Sequence, residues 1–283
     1  MNLILGIGEL LWDVYPDGRK VAGGAPFNFA FHCHQLGHPS VVVSRVGDDD
    51  LGRELREEVR RLGLSDEYIQ TDREHPTGTV RVTLDENKVP SYEIAENVAW
   101  DHIEWNESLN SLRSEDSASR LTGIGAVCFG TLAQRSPTSR STIMRFVGSA
   151  KLRVFDVNLR QGNVDRDLLQ QSMQLSDWIK VNDEELERIS QRANSAMWIV
   201  TRGADGVDLR LPGKCESLSE PAVPANVVDT VGAGDAFTAA LVCLHLEGRP
   251  LRECARFANH YAARVCEQQG ATPKLDRTTF GGR

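Results

Sequence analysis

A chain of 283 residues, 40% hydrophobic and 25% charged, has ordinary globular composition and length for one large α/β domain, alone or with a small insertion. Its formal charge of −8 argues against nucleic acid and anionic membrane as partners, though not against an anionic substrate met by local amides, arginine or a metal. The six cysteines (Cys33, Cys128, Cys215, Cys243, Cys254, Cys266) show no metal-ligand spacing and mostly sit in apolar stretches, which predicts buried free thiols in a reducing compartment.

The first stretch, "MNLILGIGELLWD", has no basic start, and glycines and Glu9 break its apolar run. It reads as a first strand, not a signal peptide. No segment approaches the ~18 apolar residues of a membrane span, so a cytoplasmic protein is expected. A dinucleotide-binding reading of "GIGELL" fails, because Leu11 holds the third glycine position. In "GGAPFNFAFHCHQLG", Pro26 fits a first helical turn and Gly37 a C-terminal cap. "SVVVSRVG" is a strand. In "DDDLGRELREEVRRLG", Leu51, Leu55, Val59 and Leu62 share one face of an amphipathic helix.

"TGTVRVTLDENKVPSYEIAENVAWD" then alternates apolar and polar residues around "DENK", the pattern of an exposed hairpin. It reads as a lid, with residues 11–22 as a second piece of the same small sheet. One apolar face left uncovered there would favour a homodimer through residues 75–98. Trp12, Tyr92 and Trp100 read as lid-core aromatics rather than as walls of a ligand site.

After residue 120, "AVCFG", "RVFDVN", "WIKVN" and "MWIVTRG" are strands alternating with helix-compatible segments, and "GVDLRLPGKCESLSE" is a hairpin. "AFTAALVCLHLEG" is apolar nearly all round and is therefore a buried helix. In the last helix, Leu251, Cys254, Ala255, Ala258, Ala262 and Val265 share a face. The pattern predicts an α/β fold: a three-layer structure with a mainly parallel central sheet, helices on both faces and a small β lid. Ligands of such sheets bind beyond the carboxyl ends of the strands.

"DTVGAGDAF" (229–237) carries the chemistry. Gly232 and Gly234 let backbone amides converge where a helix begins at about Asp235, and unpaired amides with the helix dipole make an anion cradle. No Lys-Ser or Lys-Thr follows, so this is not a Walker A loop. Taken alone, the stretch is equally a glycine turn with an aspartate N-cap. Phosphoryl transfer needs amides aimed at the phosphate and a base for the attacking hydroxyl, and Asp235 is placed for the second task.

"DTVGAGDAF" resembles the C-terminal signature of the PfkB, or ribokinase-like, sugar kinases, and "GGAPFNFA" resembles their N-terminal signature. "SRVGDDDLG", "DVNLR", "KVNDEEL" and "TRGADG" follow the family order across nearly the whole chain. "GELLWDVYPDG", "GGAPFN" and "PTGTVRVTLDENKVPSYEI" are most similar to the bacterial fructokinase-like branch. The resemblance implies one ribokinase-like kinase domain over 1–283 with a lid from about 11–22 and 75–98, and ATP and Mg²⁺ as cofactors.

Motif by motif, the resemblance makes Asp235 the base, with Gly232, Ala233 and Gly234 as the anion hole. It places Arg160 at the transferring phosphoryl group or the substrate, where a strand-end salt bridge is the alternative. Asp13, Gly24 and Asn28 would bind the sugar, Asn28 being otherwise a helix cap. Asn182 and Glu185 would orient the ATP phosphates and, through water, Mg²⁺; Asp183 and Glu184 read as a solvated helix start. Thr201, Gly203 and Gly206 would line the ATP phosphates and ribose. Asn259 would lie near adenine, or be a helix-surface amide. Asp229 and carbonyls near Gly270 resemble a monovalent-cation site, with K⁺ as the candidate ion. The implied activity is phosphorylation of a sugar hydroxyl, on fructose or a related ketose. A sugar acid, a nucleoside or a non-catalytic sugar sensor are the alternatives.

Overall fold

The computed structural model describes residues 2–84, 90–113, 123–160, 165–189 and 195–276. The chain opens with β1 (Leu3–Ile7), β2 (Leu11–Val14), β3 (Lys20–Gly23), α1 (Ala25–Gln35), β4 (Ser40–Gly47), α2 (Asp50–Arg61) and β5 (Ile69–Asp72). The lid strands β6 (Thr79–Leu84) and β7 (Pro90–Ile94) and the short α3 (Glu107–Ser111) follow. Strands and helices then alternate: β8 (Ile124–Phe129), α4 (Pro137–Val147), β9 (Leu152–Asp156), α5 (Arg166–Leu175), β10 (Trp178–Asn182), α6 (Asp183–Arg188) and β11 (Met197–Thr201). The chain closes with the hairpin β12 (Val207–Arg210) and β13 (Ser217–Glu220), then α7 (Ala233–Leu246) and α8 (Leu251–Cys266).

Among the described residues, nine strands form one sheet in the order β13-β12-β11-β10-β9-β8-β1-β4-β5. All pairs are parallel except β11–β12 and β12–β13. Side-chain alternation sorts β1 into two layers. Leu3, Leu5 and Ile7 pack with Ile143 and Phe146 of α4 and Met173 of α5. Ile4 points the other way, toward Phe29 of α1 and the apolar faces of α7 and α8. That is the predicted three-layer arrangement. Residues Ala236 to Leu244 of α7 are all buried, as a helix without a polar face requires.

β5 is absent from the sequence reading. "IQTD" is four residues with no apolar alternation, and it holds an edge beside β4. Its Asp72 is buried and pairs with Arg45 at 2.8 Å. At the other end of the chain, α7 starts at Ala233, two residues earlier than the apolar run suggests, because Gly232 supplies the left-handed turn ahead of it.

A second sheet, β3-β2-β6-β7, is the expected lid, with residues from both predicted pieces. The "DENK" turn lies outside the described residues, as does the side chain of Tyr92. Trp12 and Trp100, expected as lid-core aromatics, are buried in clusters that belong to the main body: Trp100 with residues of β1, β8 and α4, Trp12 with residues of α1 and α2. Thr77 anchors the approach to β6: its amide and hydroxyl donate to Asp49 at 2.8 and 2.6 Å, at the start of α2. The uncovered apolar face expected of the lid is not found among the described residues. Val80 and Val82 are buried within the chain, and the exposed large apolar residues are Leu175, Val227, Val228 and Val231. Pairing through the lid loses that support.

Cys33, Cys128, Cys243 and Cys254 are buried free thiols, Cys266 is half-buried and Cys215 is exposed. No helix among the described residues is long and apolar enough to cross a membrane.

Candidate active site

A cavity of about 310 Å³ opens at the carboxyl ends of the parallel strands, beneath the lid. Glu9, Asp13, Asn28, Arg160, Lys180 and Asp235 line it. It adjoins a groove of about 1150 Å³ along α4 and β7, and Ile94, Leu132 and Arg160 border both. The site therefore sits where the sheet topology puts ligand sites.

Its floor is the start of α7. Gly232 is the N-cap, at φ 76, in the left-handed region that favours glycine. A Cβ there would lie 2.6 Å from Ala271 Cβ, so glycine is also required by space. Gly232 and Gly234 line the cavity. Ala233 does not, and its amide is turned back onto Thr230 O at 3.2 Å. The cradle as drawn from sequence thus loses one of its three members here. Lys180 stands in its place: a Cβ on Gly234 would lie 3.0 Å from Lys180 Nζ, so an ammonium faces the first turn of the helix. Amides, helix dipole and ammonium all favour an anion at this point.

Asp235 stands in the first turn of α7, at the cavity wall. Its Oδ2 accepts from Asn28 Nδ2 at 2.8 Å. Asn28 is buried and caps nothing: the N-cap of α1 is Gly24, and Asn28 Oδ1 has no partner. Burial, reinforced by the charge of Asp156, raises the Asp235 carboxyl to about 6. Lys180, the Asn28 hydrogen bond and Arg160 pull it partly back. A carboxylate in that range is a competent general base near neutral pH.

Asp156 and Lys180 are register partners on β9 and β10, and Lys180 Nζ donates to Asp156 Oδ1 at 3.1 Å. Burial works to lower the Lys180 pKa, but Asp156, Asp235 and Glu185 outweigh it and raise it, so the ammonium stays cationic.

On the opposite wall, Ala25 N donates to Glu9 Oε1 at 3.3 Å, while Glu9 Oε2 is buried without a partner. Burial lifts Glu9 to about 7 and Asp13 to about 6. Arg160 lowers both, as it lowers Asp235. It is exposed and has no ion pair among the described residues, so the strand-end salt bridge is not what positions it. It is the cation shared by Glu9, Asp13 and Asp235. Gly24, at φ 116, has no room for a side chain: a Cβ there would lie 2.3 Å from Glu9 O.

The residues expected around the nucleotide lie on the next strands. Asn182 and Thr201 are register partners at the carboxyl ends of β10 and β11. Asn182 caps α6 in a reciprocal box: Glu185 N donates to Asn182 Oδ1 at 2.7 Å, and Asn182 N donates to Glu185 Oε2 at 2.9 Å. Glu185 Oε1 accepts from Leu159 N at 2.7 Å, which ties α6 to the strand-end loop that carries Arg160. Thr201 Oγ1 donates to Val181 O at 3.3 Å. Gly203 faces open space, whereas Gly206 is pressed against the backbone of residues 220–222. Asn259 is buried, not a surface amide, and donates to Glu220 O and Pro221 O at 3.1 and 2.8 Å.

No group of three or more His, Cys, Asp or Glu among the described residues could hold a metal directly. Glu185, with an amide on each oxygen, fits an ion held through water and substrate phosphates, as Mg²⁺ prefers. Asp229 accepts from Val231 N and Gly270 N at 3.0 and 2.9 Å, and the Ala271 carbonyl accepts from His32. Those bonds tie the loop of Asp229 to the 270–271 segment.

Residues 15–278 match the model of the pfkB family carbohydrate kinases. The chain belongs to that family. It is 33% identical over 98% of its length to a sugar kinase, PH1459, of Pyrococcus horikoshii, covering 96% of that protein. The structure of that kinase with ATP superposes with a TM-score of 0.81, covering 95% of this chain and 94% of the other. A fructokinase of Klebsiella pneumoniae is 30% identical over 95% of this chain and 92% of its own. A fructokinase of Vibrio cholerae in its fructose-, ADP- and calcium-bound form, 22% identical, shares the fold at a TM-score of 0.82, covering 99% of this chain and 98% of its own.

Three residues of this carbohydrate kinase site went unassigned from sequence. Glu9 stands two residues past β1, Asp156 is the last residue of β9 and Lys180 the middle residue of β10, each a buried charge among apolar neighbours. That misfit with a buried parallel sheet was the available signal.

Proposed function

We propose that this sugar kinase transfers the γ-phosphoryl group of ATP to a hydroxyl of fructose or a related ketose. The observation that carries this reading is the Asp235 carboxylate, fixed by Asn28 beside the amides of α7 and facing a 310 Å³ cavity. A volume of that order suits a monosaccharide.

Asp235 takes the proton of the attacking hydroxyl. The oxygen forms its bond to the γ-phosphorus as the bond to the ADP oxygen breaks. The amides of Gly232 and Gly234, with Lys180 and Arg160, face the charge that spreads over the phosphoryl oxygens. Asp13, Gly24 and Asn28 hold the acceptor. Asn182, Thr201, Gly203 and Gly206 serve the phosphates and ribose, and Asn259 supports the loop beside the adenine. Mg²⁺, oriented through water by Asn182 and Glu185, supplies charge neutralisation on the phosphates when bound. The lid keeps water from competing with the sugar.

A neutral acceptor is favoured over a sugar acid. Glu9, Asp13 and Asp235 converge on the cavity, and burial already raises all three carboxyls, so a further carboxylate placed there would meet the same desolvation penalty. Arg160 and Lys180 also line it, but in this reading both serve the phosphoryl group, which leaves no further cation among the described cavity-lining residues for an acceptor carboxylate. The sensor alternative is disfavoured because base and cradle glycines are both in place.

An ADP-release assay across fructose, other ketoses, aldoses, a sugar acid and a nucleoside, with ATP and Mg²⁺, tests the reading. Fastest turnover is expected on a ketose, and phosphorus NMR of the product locates the hydroxyl. Preference for the sugar acid would contradict it.

A further inference from the structure

A polar stripe runs along α1, an otherwise apolar helix. Asn28, His32 and Gln35 stand at i, i+4 and i+7, and so on one face. Phe27, Phe29, Phe31 and Cys33 are buried around them. Asn28 holds Asp235; the other two reach the segment 271–275. His32 Nε2 lies 2.9 Å from Ala271 O, and its Nδ1 lies 2.9 Å from the Tyr261 hydroxyl on α8. Gln35 Nε2 donates to the Tyr261 hydroxyl at 2.8 Å and to Pro273 O at 3.3 Å. Leu275 N donates to Gln35 Oε1 at 2.9 Å.

Chemistry fixes the direction of this chain. A carbonyl only accepts, so His32 Nε2 carries the hydrogen. Burial holds the ring neutral, with its pKa pushed down to about 4. Nδ1 is then bare and accepts from the Tyr261 hydroxyl, whose oxygen accepts in turn from Gln35.

Ala271 is the surface against which the cradle rests. A Cβ on Gly232 would meet Ala271 Cβ, Cα and O at 2.6, 2.7 and 2.8 Å. Its neighbour Gly270 donates to Asp229, which also accepts from Val231 N in the approach to the cradle. His32 itself is fully buried and lies outside the lining of both cavities.

We propose that His32 is a positioning residue for phosphoryl transfer: through Ala271 and Gly232 it holds the anion cradle in register with Asp235, which the same helix face holds through Asn28. This rests on the reading of Asp235 and the α7 amides as the transfer machinery.

The test compares His32→Leu, His32→Gln and Tyr261→Phe with the parent, using the fastest sugar of the panel with ATP and Mg²⁺. His32→Leu removes both hydrogen bonds, while the glutamine amide can still donate to Ala271 O. The Leu variant is expected to lose roughly 10- to 100-fold in kcat with the acceptor KM within about threefold, and the Gln variant to recover most of the loss. If the Leu variant does not fold, Tyr261→Phe carries the test, with an expected loss of about 2- to 10-fold in kcat and little change in KM. Unchanged kcat in the folded variants, or equal losses in Leu and Gln, would overturn the proposal. Asp235→Asn is run alongside: full turnover there would overturn the assignment of the base, a different failure from that of His32.

Discussion

Asn28 and Asp235, 207 positions apart in sequence, share a 2.8 Å hydrogen bond from amide to carboxylate. The two signature motifs of the family therefore meet side chain to side chain. The bond fixes which carboxylate oxygen is occupied: Oδ2 accepts from Asn28, and Oδ1 remains for a hydroxyl. Asn28 Oδ1 is buried without a partner, so a sugar hydroxyl placed there would supply a missing donor. Asn28→Ala is expected to raise the acceptor KM and lower kcat together, by about 10-fold or more in kcat/KM, in steady-state kinetics.

The charges around Asp235 set its pH dependence. A base at Asp235, as proposed, works only when ionised, so kcat/KM is expected to rise with pH through about 6. Asp156 raises this carboxyl and Lys180 lowers it. Asp156→Asn should move the acid limb to lower pH, and Lys180→Met to higher pH, each by about one unit. Shifts of the same sign in both variants would contradict the charge arrangement.

Asp235 also costs stability where it works. Its folded pKa of about 6 lies above the usual carboxylate value, so the folded state holds the proton more tightly between about 4 and 6. The associated stability is present below about 4 and lost as pH rises through about 6. Asparagine cannot ionise. Asp235→Asn is therefore expected to be more stable than the parent at pH 7.5 by about 1–3 kcal/mol, with the gap closing towards pH 4, in calorimetric unfolding. Glu9→Gln should behave alike, since Glu9 is raised to about 7.

Gly232→Ala tests the cradle by geometry. The new methyl must occupy a left-handed conformation and lie 2.6 Å from Ala271 Cβ. A stability loss of about 1–3 kcal/mol is expected with a fall in kcat larger than that in nucleotide affinity, measured by calorimetry and steady-state kinetics.

The layers, most strands and the lid were legible in sequence because each follows a simple period: "SVVVSRVG" is the whole of β4, and the lid hairpin alternates as a half-buried sheet must. β5 escaped because an edge strand of four residues needs neither alternation nor an apolar run. The site was legible where motifs are contiguous. Asn182 and Glu185 looked like groups for ligands alone, yet they close a capping box that also holds the loop before Arg160. Lys180, Asp156 and His32 were hidden because their roles depend on strand register and helix packing, which join residues far apart in the chain.

The central claim is that Asp235 removes the hydroxyl proton. Turnover of purified Asp235→Asn on the preferred sugar, with ATP binding measured by calorimetry on the same sample, tests it most directly. A loss of roughly 10²–10⁴ in kcat with ATP affinity retained is the expected result. Near-parental kcat in a folded, ATP-binding variant would contradict it.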